Sequence, residues 1–429
     1  MDTLDYYNRL LKDEIIQRRE EGCDVSGFEA NATSLEEAEA IYAELQELEP
    51  GMDYDEPSML AAIQADRPRG QRRMRLTLSA DDLRDKILGG WLGRCAGCQL
   101  GKPVEGWPYA HIRVFLQNRD EYPLDNYFAD QSKRANGEPW PITGSLGATR
   151  ELINHATRDD DQDYTIMALV LLRQHGKDFT PDHVGQKWLA TLPYHQVYTA
   201  ERQTYRNLVE GYGYPESATR WNPYREWIGA QIRADGWGYV TPGWPEKAAE
   251  FAFKDAAVSH IKNGIYGEMF MAAAIAAAFA TSDVRECIET ALTEIPRQTR
   301  FAEMAADCLR WAQDMPDWEA AWHKVDDKYG KYHWVHTLNN AALVLLALLY
   351  GEGDYEKTIT LAVQGGWDTD CNGATAGSIL GVMHGARQLP EKWIAPLNDT
   401  LVSGVFGVHQ TRISTLADET YDFARKIAL

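Results

Sequence analysis

The stretch ILGGWLGRCAGCQLG, residues 87–101, places glycine at 89, 93, 97 and 101. A second stretch, GATAGSILGVMHG at 373–385, repeats the spacing with Gly373, Gly377, Gly381 and Gly385. Each glycine costs a helix about 1 kcal/mol relative to alanine, so two such stripes require a reason. At a spacing of four they lie along one ridge, and a ridge without side chains lets another backbone approach closely. Ile87, Leu88, Leu92, Leu380 and Val382 keep apolar faces beside the stripes, which favours helices over glycine-rich loops. Both helices are expected deep in the core, each nearly touching another backbone.

Outward from these two segments the helical pattern continues. Ser79 followed by Asp81 and Asp82 reads as a capped helix start. Residues 162–175 are apolar almost all round and stop at Gly176, and 248–253, 267–280, 337–350 and 355–363 read likewise. No Asn-Gly hairpin between alternating runs and no βαβ rhythm is evident, so the fold class is all-α. Trp/Tyr/Pro-rich loops are expected at 105–147 and 192–246, and loops of that length in a compact domain are usually functional.

The 429 residues carry a net charge of −21, unevenly spread. Residues 1–66 hold 18 acidic side chains against four basic ones. Within them, 35–48 shows a helical apolar stripe, with Ser34 and Glu37 placed as a capping box. Five arginines at 67–75 read as a junction. The expected organisation is an acidic, loosely packed N-terminal extension over 1–76, with a short helix, and a helical domain over 77–429. The acidic balance argues against a nucleic-acid backbone as partner. The longest apolar runs, 269–280 and 341–350, fall short of the ~20 residues of a membrane helix. Six cysteines make no disulfide framework in a chain of this size, and the N-terminus lacks the pattern of a secretory leader. A cytoplasmic protein is expected.

Two aspartate clusters carry the chemistry. Asp159, Asp160 and Asp161 run into the apolar helix, and Asp368 and Asp370 open the second glycine stretch. Capping uses one carboxylate, whereas several in succession repel one another unless a cation compensates them. Carboxylates without a neighbouring His or paired Cys suit a hard cation such as Mg²⁺, Mn²⁺ or Ca²⁺ rather than zinc. The run from Asp368 matches half an EF-hand loop, but Ile379 stands where its bidentate Glu belongs, so that reading fails. Four or five carboxylates around a pair of hard ions suit a two-metal hydrolytic site. Cys95 and Cys98, a lone CxxC within the glycine stripe, read as small core residues. His260, with Asn263 and Tyr266 at a helix entry, and His336 before another helix, are candidates for substrate contact. Dinucleotide, P-loop and nucleophile-elbow motifs are absent.

The segment from Gly365 to Gly377, with Asp368, Asp370, Cys371 and Asn372, resembles the C-terminal metal motif of the ADP-ribosylglycohydrolase family. Asp159–Asp161 stand where that family has Thr/Ser-Asp-Asp. Residues 87–105 resemble its opening glycine helix, ending in Glu105, and Ser259-His260 before 266–270 resembles a pocket-lining segment. These blocks occur in family order over about 77–429.

The resemblance implies an orthogonal all-α bundle with two Mg²⁺ ions (Mn²⁺ is an alternative) and hydrolysis of a glycosidic bond at a ribose anomeric carbon. It implies Asp159, Asp160, Asp161, Asp368, Asp370 and Cys371 as the metal set, with Asp161 and Glu105 catalytic. Glu105 matches a glutamate near the scissile bond. His260, Asn263, Tyr266, His336, Trp367 and Asn372 would contact substrate. Three departures mark a divergent member: Cys371 replaces a threonine ligand, Cys98 replaces an aspartate, and Trp367 is inserted beside the ligand pair. The expected substrate is an ADP-ribosylated or related ribosyl compound. Another sugar or nucleoside on the same scaffold, or a non-catalytic binding protein of this fold, are the alternatives.

Overall fold

A helix that is apolar around its whole circumference has no face to offer water and must sit inside. A computed structural model, which describes residues 3–428, has helices of this kind at its centre. Lys262–Ala278 is buried from Asn263 onward, and Thr337–Gly351 is buried along all but its last turn. Asp160–His175 ends at Gly176, whose φ of +58° closes the helix as its sequence position implied. Twenty α-helices and only four short strands make up the described residues, so the all-α class holds.

The glycine helices, Ala80–Gly101 and Thr369–His384, lie antiparallel against each other, and the partner that each stripe required is the other stripe. A Cβ at Gly89, Gly93 or Gly97 would overlap the carbonyl oxygen of Gly381, Gly377 or Gly373 respectively. The register carries on to Gly101 against Thr369 at one end and Gly385 against Asp85 at the other. Glycine is needed here for close approach of two backbones.

Several local expectations change. Ser34 caps Leu35–Gln46 through the Glu37 N–H, but the Glu37 carboxylate takes the Thr33 N–H and hydroxyl instead of closing a capping box. The loop 105–147 contains the helix Tyr109–Gln117 and a hairpin pairing Gln131–Lys133 with Pro139–Pro141. That hairpin turns at Asn136-Gly137, where Gly137 has φ +83°. Its three-residue strands carry no apolar alternation, which is why the pattern did not announce it. A second hairpin pairs Thr400–Val402 with Gln410–Arg412.

The largest correction concerns the N-terminal segment. It forms three helices, Thr3–Glu20, Leu35–Gln46 and Leu60–Asp66, and it is packed rather than loose. Leu10, Leu11, Leu45 and Ile63 are buried, and so are Glu14, Gln17, Glu20 and Glu21. Most acids of the segment stay exposed, as composition implies, but Glu14, Glu20 and Glu21 lie inside. Glu14 and Glu21 pair with Arg225, and Glu56 pairs with Arg300.

Candidate metal and hydrolytic site

The register of the glycine helices builds the site. With Gly101 against Thr369, the last turn of the first helix faces the first turn of the second. Lys102 and Glu105 thereby share a cavity wall with Asp368, Asp370 and Cys371, while Cys98 lies beside Asp159 and Asp161. Backbone bonds from Gly106 N to Trp367 O (2.8 Å) and from Trp367 N to Trp107 O (3.1 Å) hold Glu105 in this position. The start of Asp160–His175 supplies the remaining acids, with Asp159 as its cap through a 3.1 Å bond from the Asp161 N–H.

Three overlapping groups of donors result: Cys98, Asp159 and Asp161; Asp161, Asp370 and Cys371; and Glu105, Asp368 and Asp370. Within each, one ligand atom per residue lies within 4.8 Å of the others. Burial, then neighbouring carboxylates, push Asp160, Asp161 and Asp368 well above the usual carboxylate range. Burial and then Asp159 raise Asp370 to about 6. Glu105 opens onto the cavity, yet Asp370 first and desolvation second push it up to about 9. Asp159 alone is held below its ordinary value. Burial, the largest influence, opposes this, but the Lys102 ammonium 2.8 Å away, the Asp161 N–H and Arg158 together outweigh it.

These residues fit a hard divalent cation. Asp161 Oδ2, Asp368 Oδ1 and Asp370 Oδ1 are buried and accept no hydrogen bond among the described residues, a costly arrangement for bare carboxylates. Oxygen donors crowded without enough counter-charge are what such a cation neutralises. Asp159 fits less well as a ligand, because Lys102 and the Asp161 N–H already occupy both of its oxygens. Asp161 is divided: Oδ1 pairs with Arg94 at 2.9 Å, and Oδ2 is free. The Cys371 thiol, a soft donor, is raised by burial and then by Asp161.

A cavity of about 500 Å³ opens onto Glu105, Asp159, Asp160, Asp368, Asp370 and Cys371. Part of its wall is aromatic: Trp227 stacks on His333 with ring centres 4.1 Å apart, and Trp334 and Tyr198 also line it. Asp161 sits behind this surface and does not line the cavity, which sets it apart from Glu105.

The expected substrate contacts fall elsewhere. His260 is fully buried, with Nδ1 2.7 Å from Ser259 Oγ, and burial holds its pKa well down. Asn263 bonds to Glu226 and Glu56, and the Tyr266 hydroxyl donates to the Pro57 carbonyl. Asn263 and Tyr266 anchor the N-terminal segment, a use that no local motif revealed. His336 caps its helix by accepting the Leu338 N–H at 3.1 Å. Asn372 donates to Asn340 Oδ1, the oxygen that also takes the Asp368 N–H. Trp367 contributes through its backbone, and its ring lies near Trp322. None of the six lines the cavity.

Sequence reasoning missed Lys102, Arg158, Tyr198, Trp227, His333 and Trp334. Lys102 and Arg158 adjoin recognised motifs and were available on that ground. The wall residues come from separated loops and carry no pattern.

A family model described as ADP-ribosylglycohydrolase matches residues 79–427. The protein thus belongs to the ADP-ribosylglycohydrolase family and is a hydrolase of glycosidic bonds. An uncharacterized protein of Archaeoglobus fulgidus is 23% identical to it over 313 residues, 72% of this chain and 90% of that protein. A solved structure described as an ADP-ribosylglycohydrolase-related protein complex is 17% identical with a TM-score of 0.45, covering 80% of this chain and 99% of that one. Among the described residues, no helix is long and apolar enough to cross a membrane.

Proposed function

We propose that the chain hydrolyses an N- or O-glycosidic bond at the anomeric carbon of a ribose, with an ADP-ribosylated compound as substrate and Mg²⁺ as cofactor. Support comes chiefly from the three buried, unpartnered carboxylate oxygens of Asp161, Asp368 and Asp370 beside a cavity that also holds Glu105. Asp160, Asp161, Asp368 and Asp370 hold the metal. Two donor groups sharing Asp370 suit a pair of ions, and Mn²⁺ satisfies the same oxygens. Bound there, the metal supplies Lewis acidity toward the ribose hydroxyls and a more acidic water.

The chain's own groups do the rest. Glu105 reaches the open side of the cavity, where its carboxyl orients the attacking water or exchanges a proton with the leaving atom. Carboxylates around the sugar stabilise the positive charge that develops at the anomeric carbon. The wall of Trp227, His333 and Trp334 shields the bond from bulk water and offers a flat face to the group attached beyond the ribose. Because that face suits any flat aglycone, a nucleoside or another glycoside is the second reading. The six cysteines are all unpaired, which suits a reducing, cytoplasmic setting.

Hydrolysis of ADP-ribosylated peptides and of nucleosides, each with added Mg²⁺ and with chelator, tests the proposal. Turnover of the ADP-ribosylated peptide, lost on chelation and in Asp370→Ala, is expected. Undiminished turnover in Asp370→Ala would remove the metal reading.

A further inference from the structure

The first helix, Thr3–Glu20, lies outside the matched residues 79–427, yet it grips both segments that make the aromatic wall of the cavity. One face of the helix does this through polar groups at successive turns. Asp13 accepts the Tyr224 hydroxyl at 2.6 Å, and Glu14 accepts Arg225 Nη1 at 2.7 Å. Gln17 Nε2 donates to Glu226 Oε1 at 2.9 Å. The next residue along that segment is Trp227. On the other segment, Glu20 Oε1 accepts the His333 N–H at 2.5 Å, and the His333 ring is the one stacked on Trp227.

The two segments are also joined to each other and to the acids. Ile228 N donates to Val335 O at 2.9 Å, and Trp227 bridges to His336. Asn340 Nδ2 donates to the Trp334 and His336 carbonyls, and its Oδ1 accepts the Asp368 N–H. A continuous set of short contacts therefore runs from Glu20 through the wall to the start of the helix that carries Asp368 and Asp370. Arg300 Nη1 reinforces it by donating to the Glu20 carbonyl while Nη2 bonds Glu226. Apart from Trp334, whose ring is exposed, every member of the set is buried or half-buried. Geometry of this kind fixes a surface more firmly than loop packing alone, because each backbone donor has one acceptor.

We propose that Glu20 is a positioning residue of the hydrolytic cavity. By holding the His333 N–H it sets the Trp227–His333 face against which the group beyond the ribose packs, so the N-terminal segment takes part in choosing the substrate. The assignment of that face to substrate rests on the function proposed above; the clamp itself does not.

Hydrogen exchange on the full chain without ligand separates the two. In Glu20→Ala, amide exchange over 333–336 and 224–228 is expected to rise about tenfold, while the glycine helix at 87–101 keeps its protection. Glu20→Gln, whose amide oxygen still accepts the N–H, restores wild-type exchange. Unchanged exchange at 333–336, or a rise spread equally over the glycine helix, overturns the proposal. Should Glu20→Ala fail to fold, Gln17→Leu must raise exchange at 224–228, and no rise there counts against the clamp in the same way. With an ADP-ribosylated peptide, the alanine variant is expected to raise KM about tenfold and leave kcat within about twofold. An equal fall in kcat would place Glu20 in general stability instead. If the wild type does not turn this peptide over, the substrate assignment fails and the exchange result stands.

Discussion

The paired glycine helices and the helix Thr3–Glu20 are both buried against the body of the protein, by opposite means. The glycine pair excludes side chains, so two backbones meet along three matched positions. The N-terminal helix brings polar and acidic groups inward, Glu14 against an arginine, Gln17 against a carboxylate and Glu20 against a backbone N–H. The first interface depends on the absence of volume and tolerates no addition. The second depends on partners and tolerates no removal. Both converge on the cavity, one by setting the carboxylates and the other by setting the aromatic wall.

Adding a methyl group to the first interface is the harshest way to break this contrast. Gly93→Ala places a Cβ on the Gly377 carbonyl, and a loss above about 4 kcal/mol in urea unfolding, or failure to fold, is expected. Gly144→Ala, where a Cβ meets nothing within 4 Å, serves as the control and should stay within about 0.5 kcal/mol. A tolerated Gly93→Ala would mean that the helices are not in backbone contact. Removing a partner from the second interface comes next. Arg300→Met leaves Glu56 and Glu226 buried without their cation and is expected to cost about 3–5 kcal/mol by the same measurement. A neutral result would show those acids to be solvated.

A smaller and pH-dependent effect distinguishes the second interface further. Burial foremost raises Glu20 from its ordinary 4.5 to about 8, with Glu226 adding and the His333 N–H, Arg300 and Arg19 opposing. A raised folded value means that the folded state holds the proton more tightly. The contribution of Glu20 is therefore full below pH 4.5 and is lost as pH rises through about 8. Burial lowers His336 from 6.5 to about 3, so its contribution is full above 6.5 and fades as pH falls toward 3. Unfolding free energy measured from pH 5 to 9 should fall for the wild type relative to Glu20→Gln. Parallel profiles would contradict the burial of an ionisable Glu20 against the wall.

The same contrast explains what could be read from the chain. Glycine at a four-residue spacing has few uses, so both helices and their depth were legible, although that they pair with each other was not. The aspartate runs located the carboxylates, because repulsion among adjacent acids has to be compensated. Composition, in contrast, counts Glu14, Glu20 and Glu56 as surface charge, since a paired acid and a solvated one look alike in one dimension. Their partners lie some 200 to 300 positions away. For the same reason Asn263 and Tyr266 resembled substrate contacts, when they bind Glu56 and Pro57. The aromatic wall was hidden because stacking of Trp227 on His333 depends on two loops whose meeting no spacing encodes.

In the proposed function, the free oxygens of Asp161, Asp368 and Asp370 hold a hard divalent ion that hydrolysis requires. Calorimetric titration of Mg²⁺ into the chelator-treated full chain, alongside Asp370→Ala, tests it most directly. Saturable binding by the wild type at a stoichiometry of one or two ions, abolished in Asp370→Ala while the variant melts cooperatively, is the expected result. Equal Mg²⁺ binding by both proteins, or binding by neither, would contradict it.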